Sequence, residues 1–323
     1  MSKKSKAEKT KLSALPRYSA KKVLIGIPVV LFVSLFIFLL MQMMPGDPIK
    51  LIASERVTPE RIEELRRSWG LDKPIYIQYF YWLSHVMVGD FGYSYVTRLP
   101  VSLLIWSRLP YTMQLTFTSL VLSYILGIPI GVIAALKRGT PLDNTTVGIA
   151  TFFYSMPTYW LGLMLMLTFG LYLRWLPISG SASFESMILP TVTLTLPYVA
   201  MSARIVRTEM LEVLTEDYVR TAWAKGLPSR RVILRHALRN ALIPLTVMFF
   251  LDLPWIIGGA VIVETVFAWP GMGSLLYKSI IKQDYPVVQA IVLVITILTV
   301  VCNILGDIVS AFLDPRIRVE KEA

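Results

Sequence analysis

The sequence predicts an all-α integral membrane protein with six transmembrane helices, both termini cytoplasmic, and a helical insertion outside the membrane between the first two spans. Three observations carry this expectation. Only 16% of the 323 residues are charged and 55% are hydrophobic, where a soluble domain is roughly 25% charged; mean hydropathy is +0.60. Apolar segments of about 20 residues, enough to cross about 30 Å of hydrocarbon as a helix, occur six times. Basic residues concentrate in alternate connections, as the positive-inside rule requires.

The expected spans run from Val23 to Met44, Thr112 to Leu136, Asn144 to Leu173, Met187 to Val206, Ala241 to Val263 and Pro286 to Leu313. The first is too long for the apolar core of a signal peptide and no A-x-A site follows it, so it reads as a retained span. The leader, residues 1–22, carries Lys3, Lys4, Lys6, Lys9, Lys11, Arg17, Lys21 and Lys22 against Glu8, which places that end inside. Six crossings return the tail, residues 314–323, to the same side, where Arg316, Arg318 and Lys321 agree. The net charge of +11 is explained by this orientation and calls for no nucleic acid. The long segment 45–111 is exempt from the rule and is expected outside. Within it Thr58-Pro59-Glu60 is a helix-start pattern, and a second helix is expected to include Gln78 to Val88. Its aromatics, Tyr76, Tyr79, Phe80, Tyr81 and Trp82, read as an interfacial belt or a partner-docking surface.

Enzymatic chemistry finds little support. The two histidines, His85 and His236, make no metal motif, and the single cysteine, Cys302, lies in an apolar run and can form no internal disulfide. Gly92-Tyr93-Ser94 has the outline of a nucleophile turn without a histidine base beside it in sequence. No glycine is followed by lysine, which excludes a Walker A loop, so any ATP used must be bound by another chain. Asp252 is the one acid in the middle of a span, beside Pro254 and Trp255. It reads as a pore-lining group or as an internally paired carboxylate. Glu264 and Asp307, nearer span ends, read as solvated or capping groups.

The connection 207–240 is the most patterned stretch. Thr215 is expected to cap a helix with Glu216 and Asp217 in its first turn, ending near Gly226 and Pro228. Ser229 is expected to cap a second helix reaching Asn240. In that second helix Arg231, Arg235 and Arg239 recur along one face, and Leu234, Leu238, Ala241 and Leu242 along another. Lipid headgroups alone would explain the arginines. The small residues Ala222, Ala224 and Gly226 around Trp223 point instead to a low, knobbed surface that inserts in a partner's groove.

This stretch resembles the cytoplasmic coupling loop of prokaryotic ABC-importer permeases, known for an E-A-A-x-x-x-G signature. It is more similar to the dipeptide/oligopeptide/nickel permease family, whose version reads much like YVRTARAKGL followed by RHALRNALIP. Here Tyr218 to Leu227 stands in the first place and Arg235 to Pro244 in the second. Further matching segments are MPGDP at Met44 to Pro48, GLDKPI at Gly70 to Ile75, GDFGYS at Gly89 to Ser94, YSMPTYWLG at Tyr154 to Gly162, VETVFAWPGMG at Val263 to Gly273, DYPVVQ at Asp284 to Gln289 and DPRIR at Asp314 to Arg318. The chain departs from the family at Trp223, where Arg is usual, and at Asp252 and Pro254, where Gln and Gly are common.

The resemblance implies a type I ABC importer fold and a non-catalytic permease subunit in a prokaryotic plasma membrane. It also implies partners: a second homologous permease, two ATPase subunits that bind ATP and Mg, and an extracellular or periplasmic solute-binding protein. Peptides are the implied cargo, with nickel chelates, oligosaccharides or glutathione-like solutes as alternatives. The coupling residues so implied are Asp217, Tyr218, Arg220, Thr221, Ala222, Trp223, Lys225 and Gly226, and the translocation path would include Asp252 and Trp255. An ion-coupled secondary carrier would need a coupling site beyond Asp252, and an intramembrane hydrolase would need Ser94 with a base.

Overall fold

Long apolar helices dominate the computed structural model, which describes residues 2–43 and 72–313. The expected helix start at Thr58-Pro59-Glu60 and the tail 314–323 lie outside the described residues. Helix α1 (Ser2–Met43) is followed by α2 (Ile75–Met87), α3 (Val101–Leu136), α4 (Pro141–Ser155) and α5 (Thr158–Leu165), the last extended by a π-helical segment, Met166–Tyr172. Then come α6 (Ile188–Val213), α7 (Asp217–Ala224), α8 (Ser229–Arg231), a π segment over Val232–Ala237, α9 (Leu238–Ala241), α10 (Ile243–Val266), α11 (Met272–Ile281) and α12 (Tyr285–Leu313). Among the described residues five helices are long and apolar enough to cross a membrane, six spans if the bent pair α4 and α5 counts as one.

Two expected spans have different forms. The third is not one helix: its two halves meet at 102°. Pro157 has no N–H to donate and sterically drives the preceding residue out of the helical region. Met156 is accordingly extended, at φ −76° and ψ 131°. The second span begins earlier than Thr112, since α3 is continuous from Val101 and carries Pro110 inside it. Proline is tolerated there because neighbouring helices re-satisfy the freed backbone groups.

Helices α3 and α6 form the central pair. Lipid tails offer no hydrophobic driving force between helices, so close approach depends on small residues. Gly127 and Gly131, four apart, provide it: a Cβ at Gly127 would collide with Ser202, and one at Gly131 with Ala203 and Val206. The gap is also stitched by hydroxyls. Ser119 donates to the Thr191 carbonyl at 3.4 Å, Thr195 to the Ser119 carbonyl at 3.3 Å and Ser202 to the Ser123 carbonyl at 3.1 Å. Helix α10 completes this core through Ile256, Ala260 and Val263 against Leu115, Leu120 and Leu194.

At one end of the bundle Glu264, expected to be solvated or capping, is fully buried. Its carboxylate accepts from Thr112 Oγ1 at 2.6 Å and from the Ser274 amide at 3.0 Å, and the Gly273 amide also donates to it. It therefore caps the N-terminus of α11, where the helix dipole favours negative charge. Thr112 closes the knot, because its Oγ1 accepts from the Met272 amide at 2.8 Å. Gly271 and Gly273 are required by proximity: a Cβ on either would strike the carboxylate.

A second knot joins the outer segment to the turn before α12. Ser94 Oγ donates to Asp284 Oδ2 at 2.5 Å and the Tyr95 amide donates to Oδ1 at 2.8 Å. Burial and the adjoining carboxylate of Asp284 push the Tyr95 hydroxyl up to about 12, so it stays protonated at physiological pH. Ser94 is thus a buried tether with an acid for its partner, which removes the nucleophile-turn reading. The aromatics of α2 also divide their work. Tyr79 is buried and its hydroxyl lies 2.8 Å from Ser34 Oγ on α1, whereas Tyr76, Phe80 and Tyr81 are exposed.

Replacing Thr112 by Val should destabilise the purified protein by about 1–3 kcal/mol, the cost of stranding buried polar groups, while Thr112→Ser should be nearly silent in the same thermal-unfolding assay. Gly131→Leu should cost about 1–3 kcal/mol through overpacking. Gly148→Ala should cost nothing, because a Cβ there meets no atom within 4 Å.

Candidate functional site

Helix α7 presents one face to its own chain and another to the surroundings. Val219 and Ala222 are buried with Val232, and Val213, Leu214 and Leu227 pack against them. Ala222 is therefore part of a small internal core, a correction to its expected place on the docking knob. Eight residues make little more than two turns, so one stripe must face inward for so short a helix to persist. The remaining coupling residues, Asp217, Tyr218, Arg220, Thr221, Trp223, Lys225 and Gly226, are exposed together with Ala224. Trp223 keeps 42% of its surface accessible. Arg220 and Asp217 lie 3.8 Å apart on the exposed face.

The two expected caps are not where the sequence placed them. Glu216 is the cap residue of α7 and makes no side-chain cap bond, while Thr215 Oγ1 donates back to the Glu212 carbonyl at 2.7 Å. Pro228 precedes α8, and Ser229 is its first helical residue. The end of α7 does follow expectation. The Gly226 amide donates to the Trp223 carbonyl at 2.9 Å and the Leu227 amide to the Ala222 carbonyl at 3.4 Å. This double closure needs a left-handed residue, and Gly226 has φ +73°.

The second, basic helix is interrupted by the π segment, which changes its faces. With five-residue closures in place of four, Val232, Ala237 and Ala241 become the buried positions, and Leu234 is 49% exposed. Arg235 and Arg239, without Arg231, line a groove of about 460 Å³ with Tyr218, His236, Asn240, Leu242, Ile243 and Thr246. Across its mouth Asn240 Nδ2 donates to the Tyr218 hydroxyl at 2.7 Å, tying α7 to the segment that leads into α10.

One contact near this end was not anticipated. Arg207 on α6 grips Asp143 in the first turn of α4, Nε to Oδ1 at 2.6 Å and Nη2 to Oδ2 at 2.8 Å. The carboxylate also accepts from the Gly139 amide at 2.9 Å. Such a planar, two-pronged pair fixes geometry as well as charge. Its members are 64 residues apart, and only an Asp in a helix's first turn hinted at either.

The mid-span acid has an internal partner. Tyr124 on α3 donates to Asp252 Oδ2 at 2.7 Å, and the Tyr124 ring packs edge-on against Phe249 at 5.3 Å. Asp252 is buried in this chain, but Trp255 one turn on is 77% exposed. The two expected path residues are thus on one helix with different surroundings. Among the described residues no group of three or more His, Cys, Asp and Glu is placed to hold a metal ion.

Comparison with known proteins agrees with this architecture. Residues 127–319 match the family model described as binding-protein-dependent transport system inner membrane component, and residues 15–116 match its N-terminal membrane-component model. The glutathione transport system permease protein GsiC of Escherichia coli (strain K12) is 41% identical over 301 residues, 93% of this chain and 98% of the relative. The GsiC of Salmonella typhi is 40% identical over the same extent. Among solved structures, an inward-facing conformation of the MetNI methionine ABC transporter aligns with TM-score 0.56 at 21% identity, covering 65% of this chain and 96% of that one. An amino acid ABC transporter solved with histidines aligns at TM-score 0.52 and 13% identity, covering 65% and 94%. These structures share the type I importer fold, and the chain belongs to the binding-protein-dependent transport system inner membrane components, as a multi-pass ABC-importer permease of the dipeptide/oligopeptide/nickel type.

Proposed function

We propose that this permease subunit passes short peptides into the cell, tripeptides of the glutathione kind included, using ATP hydrolysed by other chains. What carries the reading is the identity of 41% with a glutathione permease along nearly the whole length of both proteins. The working assembly would contain a second homologous permease, two ATPase subunits holding ATP and Mg, and an extracellular or periplasmic solute-binding protein. In this reading the chain is a conduit without a cofactor or a catalytic group of its own, with both termini and α7 on the cytoplasmic side.

Coupling is assigned to α7. Its exposed face, from Asp217 to Gly226, would sit in a groove of an ATPase subunit. Its buried face touches Val213 and Leu214 at the end of α6 and Val232 at the head of the basic helix. A push on α7 would therefore reach α6 directly and α10 through the basic helix, giving alternating access by displacement of packed elements.

Reconstitution in liposomes with the subunits that co-purify should give ATP-dependent uptake of labelled glutathione or dipeptides. A solute-binding protein that instead carries a nickel chelate or an oligosaccharide, with no peptide uptake, would overturn the cargo while leaving the importer intact. Trp223→Ala should lower solute moved per ATP several-fold without changing the melting temperature; an unchanged ratio removes the docking role. Gly226→Asn should preserve coupling, because Asn tolerates the left-handed conformation, whereas Gly226→Val should cost about 1–2 kcal/mol locally and loosen the same coupling. Asp252→Asn keeps an oxygen to accept from Tyr124 but removes the ionisable group. A several-fold change in the KM for peptides at constant stability would place the carboxylate on the path, and no change would leave it an internal tie.

A further inference from the structure

We infer that the groove between α7 and the start of α10 is a binding site for the phosphate headgroup of an anionic phospholipid. Three features of the groove support this. The first is charge without a counter-charge. Arg235 and Arg239 both line it, and among the described residues neither forms an ion pair. Both side chains line the same groove, so an anion seated there would be shared by two guanidinium groups. Arginine's planar fork of donors is matched to phosphate oxygens.

The second feature is the rest of the lining. Tyr218, His236, Asn240 and Thr246 add hydroxyl, imidazole and amide groups to the same cavity of about 460 Å³, a volume that accommodates a headgroup. The Asn240 to Tyr218 hydrogen bond of 2.7 Å holds the two walls at a set distance. Arg231, which precedes the π segment, is not among the lining residues.

The third is position. Ile243 and Thr246 belong to the first turn of a helix apolar enough to cross the membrane, and Leu242 immediately precedes it. The groove therefore straddles the level at which hydrocarbon gives way to polar headgroups. Clusters of arginine or lysine next to the end of a membrane helix attract anionic headgroups, whose acyl chains would continue along the apolar span. A free phosphate would satisfy the arginines but leave Leu242 and Ile243 facing water. The lipid accounts for both parts of the lining, whatever solute the importer carries.

The test uses the whole importer, with its ATPase and permease partners, purified in detergent and given phosphatidylglycerol or phosphatidylcholine before native mass spectrometry. Wild type should retain phosphatidylglycerol in preference to phosphatidylcholine, and Arg235→Gln with Arg239→Gln should lower that retention several-fold. Arg230→Gln with Arg231→Gln removes the same charge outside the groove and should leave retention unchanged. Equal retention in both double variants and wild type, or equal loss in both, overturns the site. So does displacement of the lipid by millimolar inorganic phosphate, which would identify a soluble anion as the occupant. Loss of ATPase subunits from the Arg235/Arg239 variant with lipid still bound would assign the arginines to a protein interface instead.

Discussion

A carboxyl group buried within a membrane bundle must be given hydrogen-bond partners or it costs several kcal/mol, and Glu264 imposes that demand on everything around it. It lies in the last turn of α10, so its donors have to come from elsewhere. Thr112 supplies one from α3, and the amides at the head of α11 supply the others. Satisfying one side chain therefore ties two spans and a third helix to each other. The glycines at 271 and 273 follow from the same demand, because the helix start can reach the carboxylate only if no side chain stands between. Asp284 works the same way on the outer segment, where Ser94 and Tyr95 converge on it.

The motifs visible in the sequence gain a physical meaning from these knots. VETVFAWPGMG, at Val263 to Gly273, folds back so that its glutamate meets the amides of its last residue, Gly273, and of Ser274 just past it. GDFGYS and DYPVVQ are 190 residues apart at Ser94 and Asp284, yet each supplies half of a single hydrogen-bonded junction. YSMPTYWLG carries the proline that breaks the third span.

What was legible divides along similar lines. Span number, α7 and its glycine stop were readable because each rests on a local pattern: apolar length, an acidic first turn, a residue that alone enters the left-handed region freely. The inward turn of Ala222 was not, since small residues look the same on a docking face and in a tight core. Nor was the π segment, because a five-residue closure has no strong sequence signature, and with it went the predicted stripe of Arg231, Arg235 and Arg239. Pairing of Asp143 with Arg207 needs the tertiary fold to bring the two helices together. The spacing of Gly127 and Gly131, a four-residue glycine repeat inside a span, is a packing signal that formed no part of the sequence expectation, and it lies at the central α3 and α6 contact.

These ties also bear on how such a subunit can move. Helices α3 and α6 are held along their length by glycine contacts and by hydroxyl bonds to backbone carbonyls, so bending either would break several at once. Arg207 adds α4 to the same body at one end. Thr112 adds α10 and α11 at the other. Freedom is then concentrated where regular hydrogen bonding is already interrupted: the 102° break at Met156 and Pro157, and the π segment ahead of α10. The Tyr124 to Asp252 hydrogen bond crosses from α3 to α10 midway between the end knots. Its single bond can be exchanged at lower cost than the multiple bonds at either end. In the proposed transport cycle, a displacement of α7 would thus move α6 with its neighbours as a block and be absorbed at the π segment, leaving the α3 and α10 contact at Asp252 as the place where the bundle can part.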